Sequence, residues 1–176
     1  TPLTKKYGVA TYYIIALSET STNLAKYCGI RYGQDLPLKD TFNEYFSQVR
    51  SKFLGDEAKR RIMLGTFARM SGYRDAYYMK AAKIRTQIIN EYKDLFKTYD
   101  VLISPTMPVV PPKFEEVKKL TPLENYMMDI LTVGPNLAGL PHISIPMGQG
   151  LPKGLLIIAD HFKEGKTLQV AHELYN

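Results

Sequence analysis

After Asp100 the hydrophobic pattern of the chain changes from the period of a helix to that of a strand. Upstream, apolar residues recur every three or four positions, as they do on one face of a helix. Downstream, short apolar runs are separated by proline and glycine, which favours strands joined by turns. Helices and strands must bury their apolar sides against one another. The pattern therefore predicts an α/β fold.

Three apolar runs are expected to be strands, namely Val101–Ser104, His142–Pro146 and Gly154–Ala159. A short connection joins the last two, which predicts an antiparallel hairpin. A final helix over about Glu164–Tyr175 is expected to pack on this sheet. Three strands are few for so many helices, so we expect the sheet to continue in residues outside this sequence.

The first helix is expected over Thr11–Tyr27, after an irregular lead-in of residues 1–10. Its second half has many small polar side chains for a helix interior, which are Ser18, Thr20, Ser21, Thr22 and Asn23. These side chains could line a cavity or face water. From the pattern alone we favour the second alternative.

Three further helices are predicted before Asp100. One begins at Thr41, because Thr41 and Glu44 have the spacing of a capping box. The other two lie on either side of Gly72, and the later one is expected to run from about Tyr73 to Tyr99 with one apolar face.

The helix before Gly72 contains the first candidate for a binding residue. Helical spacing places Arg61 on one face with Ala58, Gly65 and Ala68. A guanidinium beside small residues can lie close to a packed surface and present its planar fork to a carboxylate.

The same helix also allows an ordinary interpretation. Asp56 and Glu57 could pair with Arg60 and Arg61 one turn later, which would give a solvated, ion-paired face. From the pattern alone this interpretation is favoured. A second candidate is Asp129, the only charged residue between Tyr126 and Val133, because an acid in an apolar run needs a partner if it is buried.

The number and positions of the cysteine, histidine, glycine and serine residues argue against several kinds of site. Cys28 is the only cysteine, and the three histidines lie in different predicted elements, so we expect no metal site. Gly165–Thr167 resembles the end of a phosphate loop, but Asp160 stands where the earlier glycine is required. No serine has the context of a nucleophile elbow. Taken alone, these residues contain no catalytic machinery.

Charge and hydropathy indicate which partners the chain favours and in which compartment it is expected. Lysine and arginine exceed aspartate and glutamate by 23 − 17 = +6, which favours anionic partners, RNA among them. We find no signal peptide and no apolar run long enough to span a bilayer. We therefore expect a cytoplasmic protein without membrane partners.

Five segments together resemble one known family. They are YYIIALSETSTNLAKYCGIRYG (12–33), GDEAKRRIMLGTFARMSGYRDAYYMKAAKIR (55–85), DVLISPTMP (100–108), MMDILTVGPNLAGLPHISIPMG (127–148) and GLPKGLLIIAD (150–160). In order and spacing they are similar to the C-terminal part of the A subunits of glutamyl-tRNA(Gln) amidotransferases, which belong to the amidase signature family. Arg74 stands where that family commonly has an aromatic residue.

This resemblance implies a fold and the location of the catalytic residues. Members are single α/β domains with a mixed central sheet wrapped by helices. They hydrolyse an amide with a Ser–cis-Ser–Lys triad, which lies in the N-terminal half. Residues 1–176 would then be the C-terminal part of one domain, with no catalytic residue of their own and no activity alone.

The resemblance also implies a reaction and partners. In the family the A subunit releases ammonia from glutamine, and the B subunit uses ATP and Mg to amidate Glu on tRNA(Gln). A small C subunit completes the heterotrimer. A tyrosine, an arginine and an aspartate hold glutamine, and by position they match Tyr12, Arg61 and Asp129. The chain itself is expected to need no cofactor.

Two alternatives remain open at this point. Another amidase-signature amidohydrolase would share the fold and act on a different amide. A non-enzymatic RNA- or protein-binding module would explain the positive charge and the many tyrosines, but it would not explain the matched segments.

Overall fold

The computed structural model describes residues 1–39 and 41–175, most of which are helical, together with a small sheet. The chain divides into two compact units. One unit comprises residues 1–12 and 83–176, and the other comprises residues 13–82. The predicted α/β class is confirmed. Within the described residues, no helix combines the length and the apolar character needed to cross a membrane.

The helices and strands follow in a simple order. The first four helices are α1 (Pro2–Asn23), α2 (Phe42–Phe53), α3 (Asp56–Arg69) and α4 (Lys80–Leu95). They are followed by β1 (Leu102–Pro105), α5 (Phe114–Val117), α6 (Pro122–Met127), α7 (Val133–Ala138), β2 (His142–Pro146), β3 (Gly154–Ile158) and α8 (Glu164–Tyr175). A 3₁₀ turn at Leu24–Lys26 follows α1, and a π-helical segment at Asp75–Met79 leads into α4.

The sheet has the strand order β1-β3-β2, and both pairings are antiparallel. Leu102 and His142 both lie opposite Ile158, so β3 is the central strand. The predicted hairpin of β2 and β3 is confirmed. Helix α8 packs on β2 and β3, as predicted. The core between them consists of Ile145, Ile157 and Ala171.

The beginning of the chain corrects one expectation. Residues 1–10 were expected to be irregular, but α1 already begins at Pro2. Proline suits the first turn of a helix, because it has no N–H group that would need a partner there. The N–H of Leu3 donates to the carboxylate of Glu91 at 3.2 Å, which satisfies one of the free donors of this turn. The contact joins residues 88 positions apart, so local sequence does not reveal it.

The long apolar helix after Gly72 is shorter than predicted. Helix α4 ends at Leu95, whose carbonyl accepts the N–H groups of Thr98 and Tyr99. Ile88 and Tyr92 are buried on α4, whereas Tyr99 lies past its end and is 55% exposed. The predicted apolar face is therefore confirmed only as far as the helix extends.

In the unit of residues 13–82, α3 lies against α1 through a glycine. Gly65 is buried, and a Cβ atom built on it would overlap the carbonyl group of Leu17. Ala68, one turn later, is also buried. Only a residue without a side chain permits this close approach of two helix backbones.

We therefore expect Gly65→Ala to destabilise the protein by about 1–3 kcal/mol, the usual range for overpacking. The added methyl group would force α3 away from Leu17. Thermal unfolding followed by circular dichroism measures the effect. Gly165→Ala is the matched control, because a Cβ at Gly165 in α8 meets no described atom within 4 Å. An equal or higher Tm for Gly65→Ala than for the wild type would contradict the close contact.

Candidate functional site

Arg61 lies in the second turn of α3 and is paired with Glu57. Its Nε atom donates to Oε1 of Glu57 at 2.9 Å, and Arg60 donates to Oε2 of the same carboxylate at 2.9 Å. The side chains of Arg61 and Glu57 are 37% and 46% exposed. The ion-paired face that the spacing predicted is confirmed for Glu57, which accepts from both arginines, whereas none of the ion pairs among the described residues includes Asp56. Exposed pairs of this kind contribute little to stability.

The helical face predicted for Arg61 is also confirmed. Gly65 and Ala68, one and two turns further along α3, are buried on that face. Arg61 lies on the same face, one turn before Gly65, and is half-buried. The arginine therefore lies at the margin of a packed surface.

Asp129 is half-buried in the turn between α6 and α7. Its backbone carbonyl accepts the N–H groups of Thr132 at 2.9 Å and Val133 at 3.0 Å, and the hydroxyl of Thr132 at 3.0 Å. Helix α7, which proline and glycine hid in the sequence, is almost entirely buried. These bonds fix the backbone of Asp129 at the start of a buried helix.

Tyr12 is half-buried on α1. Tyr12 and Asp129 belong to the unit of residues 1–12 and 83–176, and Arg61 belongs to the unit of residues 13–82. Each of the three is partly exposed. That all three contact one ligand stays a prediction.

The structure contains a further cluster that sequence reasoning missed. A cavity of about 380 Å³, here called the polar pocket, lies within the unit of residues 13–82. It is lined by Ser18, Glu19, Thr22, Arg69, Arg74 and Tyr78. Arg69 also donates to Oγ of Ser21 at 2.9 Å, which ties the end of α3 to α1.

The structure corrects part of our interpretation of the small polar side chains of α1. Thr22 and Asn23 are exposed, as expected, whereas Ser18 is 1% exposed and Ser21 is 8% exposed. Their hydroxyls donate to backbone carbonyls of the same helix, which satisfies them without water. The four-residue spacing of Ser18 and Thr22 was the signal for a polar stripe, but the arginines that complete the pocket are distant in sequence.

Tyr78 and Glu19 interact directly in the polar pocket. The hydroxyl of Tyr78 donates to Oε1 of Glu19 at 3.1 Å. This bond, with smaller contributions from burial and from the charge of Glu19, raises the pKa of Tyr78 above the usual tyrosine value. The carboxylate favours the protonated phenol.

We expect Glu19→Gln to lower the pKa of Tyr78 towards the usual value, because the substitution removes the negative charge that holds the proton. A pH titration of the Tyr78 ring signal by NMR measures this change. Asp35→Asn, which removes an exposed charge elsewhere in the same unit, should leave the pKa of Tyr78 unaltered. An unchanged Tyr78 titration in Glu19→Gln would show that the bond is absent in solution.

The rings of two of the three histidines contact backbone carbonyls. Nδ1 of His142 lies 2.8 Å from the carbonyl of Leu140, and Nε2 of His161 lies 2.9 Å from the carbonyl of Ala138. Within residues 1–39 and 41–175, no group of three or more His, Cys, Asp or Glu side chains could hold a metal ion.

A family model and individual relatives both match most of this chain. The family model described as Amidase matches residues 1–168. The A subunit of glutamyl-tRNA(Gln) amidotransferase from Archaeoglobus fulgidus is 52% identical over 165 residues, which cover 93% of this chain and 36% of that protein. The protein of the same name from Bacillus velezensis is 52% identical over 169 residues, which cover 95% of this chain and 35% of that protein. The chain thus spans about a third of the length of these curated relatives.

Solved structures agree with the sequence matches. The crystal structure of the A subunit of glutamyl-tRNA(Gln) amidotransferase from Thermotoga maritima is 38% identical with a TM-score of 0.65, and the match covers 96% of this chain and 32% of that one. A bacterial aryl acylamidase of the amidase signature family is 19% identical with a TM-score of 0.60, and the match covers 98% of this chain and 34% of that one. At this lower identity the second structure shows a common fold.

Proposed function

The chain belongs to the amidase family, and on that premise we propose that it is the C-terminal part of the glutamine-hydrolysing A subunit of a glutamyl-tRNA(Gln) amidotransferase. One observation carries the proposal. Identity with two A subunits, one archaeal and one bacterial, is more than twice the identity with the aryl acylamidase that shares the fold. The resemblance noted in the sequence is confirmed at the level of the family.

In this proposal residues 1–176 form one part of a single amidase-signature domain. The Ser–cis-Ser–Lys triad that cleaves the amide would lie in the N-terminal part, which precedes Thr1. The present chain would supply the groups that hold the substrate.

The substrate groups would be held by charge. Free glutamine has one α-carboxylate and one α-ammonium group, so a complementary site needs one cation and one anion. We assign the α-carboxylate to the guanidinium of Arg61, whose planar fork suits a carboxylate. We assign the α-ammonium to Asp129, and Tyr12 lines the pocket beside them.

The partners follow from the same proposal. Ammonia released from glutamine would pass to a B subunit, which uses ATP and Mg to amidate Glu on tRNA(Gln). A C subunit would complete a cytoplasmic heterotrimer. No cofactor is assigned to the present chain. Its net charge of +6 is compatible with a complex that handles tRNA.

Two other functions compete with this proposal. A different amidohydrolase of the amidase signature family would share the fold. It would not need one positive and one negative side chain, Arg61 and Asp129, to hold the two ends of a zwitterion. A non-enzymatic binding module would account for the charge, but the family match over residues 1–168 favours an enzyme.

The test uses the complete protein together with its B and C partners and Glu-tRNA(Gln). We expect ATP-dependent formation of Gln-tRNA(Gln) with either glutamine or ammonia as nitrogen donor. Hydrolysis of aryl amides without use of glutamine would instead identify a different amidohydrolase.

A further inference from the structure

The polar pocket contains three charged side chains that form no ion pair with one another. Arg69 and Arg74 line it together with Glu19, yet none of the ion pairs in the described part of the chain joins them. The site therefore keeps two positive groups and one negative group apart around a cavity. Space between opposite charges suits a ligand that carries both signs.

The α1 side of the pocket has one exposed hydroxyl group, that of Thr22, which acts as an acceptor towards a ligand, and one buried hydroxyl group, that of Ser18. Oγ of Ser18 donates its proton to the carbonyl of Ile14 at 2.6 Å, and Oγ1 of Thr22 donates to the carbonyl of Glu19 at 2.8 Å. Their protons are committed to the helix, so only oxygen lone pairs remain. Together with the Glu19 carboxylate, α1 presents acceptors.

The other lining residues present donors. Arg69 and Arg74 carry five N–H donors each. One nitrogen of Arg69 donates to Ser21, and the other donors of the two side chains have no hydrogen bond to the described residues. Tyr78 donates its proton to Glu19 and holds that carboxylate in place. The pocket is thus divided into an acceptor side and a donor side.

We propose that the polar pocket binds a small zwitterion of the α-amino acid class. The carboxylate of the ligand contacts Arg69 and Arg74, and its ammonium group contacts Glu19 and the oxygen of Thr22. An inorganic phosphate would bring its oxygens against an acceptor surface, and a simple cation would meet two guanidinium groups. The cavity of about 380 Å³ is at the small end of ligand pockets.

This site is separate from the proposed glutamine-binding residues, since it includes none of Tyr12, Arg61 and Asp129. The experiment therefore uses the complete protein carrying Arg61→Ala, which weakens the other amino-acid site. The protein is labelled with 3-fluorotyrosine, and the ¹⁹F signal of Tyr78 is followed during titration with L-alanine. Acetate, methylammonium and inorganic phosphate are titrated in parallel.

We expect L-alanine to shift the Tyr78 signal saturably and to bind at least about tenfold more tightly than each single-charge probe. Arg74→Gln and Glu19→Gln should each weaken L-alanine binding about tenfold or more. Arg31→Gln, an exposed arginine of the same unit outside the pocket, is the matched control and should leave binding unchanged.

Three results would overturn the proposal. One is the absence of a saturable shift with L-alanine. Another is binding of acetate or phosphate as tight as that of L-alanine, which would make the pocket a general anion site. The third is undiminished binding in both Arg74→Gln and Glu19→Gln. None of these results bears on the use of glutamine or ammonia by the complete enzyme, so the two proposals fail separately.

Discussion

Arg61→Ala in the complete enzyme is expected to reduce kcat/KM for glutamine by about 30-fold to several thousand-fold. Truncating one partner of a buried, hydrogen-bonded charge pair costs about 2–5 kcal/mol, and each 1.4 kcal/mol corresponds to a factor of ten. In the proposed complex the α-carboxylate of glutamine would lose its cation in a site closed to water. The measurement is the rate of glutamate release at varied glutamine concentration.

Arg60→Ala is a closely matched control for this variant. Both arginines donate to the carboxylate of Glu57 at 2.9 Å, and the side chain of Arg60 is 47% exposed. Either substitution removes one exposed ion pair and one positive charge from α3. Exposed pairs contribute about 0–1 kcal/mol, so Arg60→Ala should have a mild effect. Equal losses in the two variants would mean that Arg61 acts only through its ion pair.

Residues 1–176 alone are expected to have no measurable glutaminase activity, with a loss of several orders of magnitude relative to the complete protein. Removing a catalytic nucleophile or its base has an effect of this size in a well-studied hydrolase, where it reaches about a million-fold in kcat. In the proposed enzyme both groups lie upstream of Thr1.

The assay compares equal molar amounts of the fragment and the complete protein. Glutamate release that stays with the fragment through successive purification steps would contradict this prediction. Circular dichroism shows whether the fragment is folded. A folded, inactive fragment is the strongest supporting result.

Short-range signals predicted several elements correctly. The bounds of β2 and α8 agree with the predicted ranges, because alternating apolar residues and proline or glycine marked their ends. The capping box of Thr41 and Glu44 is formed, with the Glu44 N–H donating to the Thr41 hydroxyl and the Thr41 N–H donating to the Glu44 carboxylate. Each of these features depends on residues within one turn or one strand.

Features that depend on distant contacts were missed. Helix α7 contains Gly134 and Pro135, which argue against a helix locally, yet it is buried. Two residues that are distant in sequence pack against Gly134, namely Tyr92 and Thr4. The polar pocket needs Arg69 beside Ser21, a contact across 48 residues. A sequence shows which side chains share a helix face, but it does not show which face meets another helix.

The candidate glutamine site was predicted from family resemblance more than from pattern. Spacing alone favoured an ion-paired surface for Arg61, and that ion pair is present. The proposed role in binding depends on a ligand, which leaves no local signal on α3. A functional measurement is therefore the appropriate test.

The most direct measurement is the ratio of glutamine-dependent to ammonia-dependent formation of Gln-tRNA(Gln) by the Arg61→Ala enzyme. In the proposed complex supplied ammonia would bypass the glutamine site, so its use by the B subunit should stay near the wild-type rate while the use of glutamine is largely lost. A ratio near that of the wild type, either because both reactions persist or because both fall together, would contradict the role assigned to Arg61.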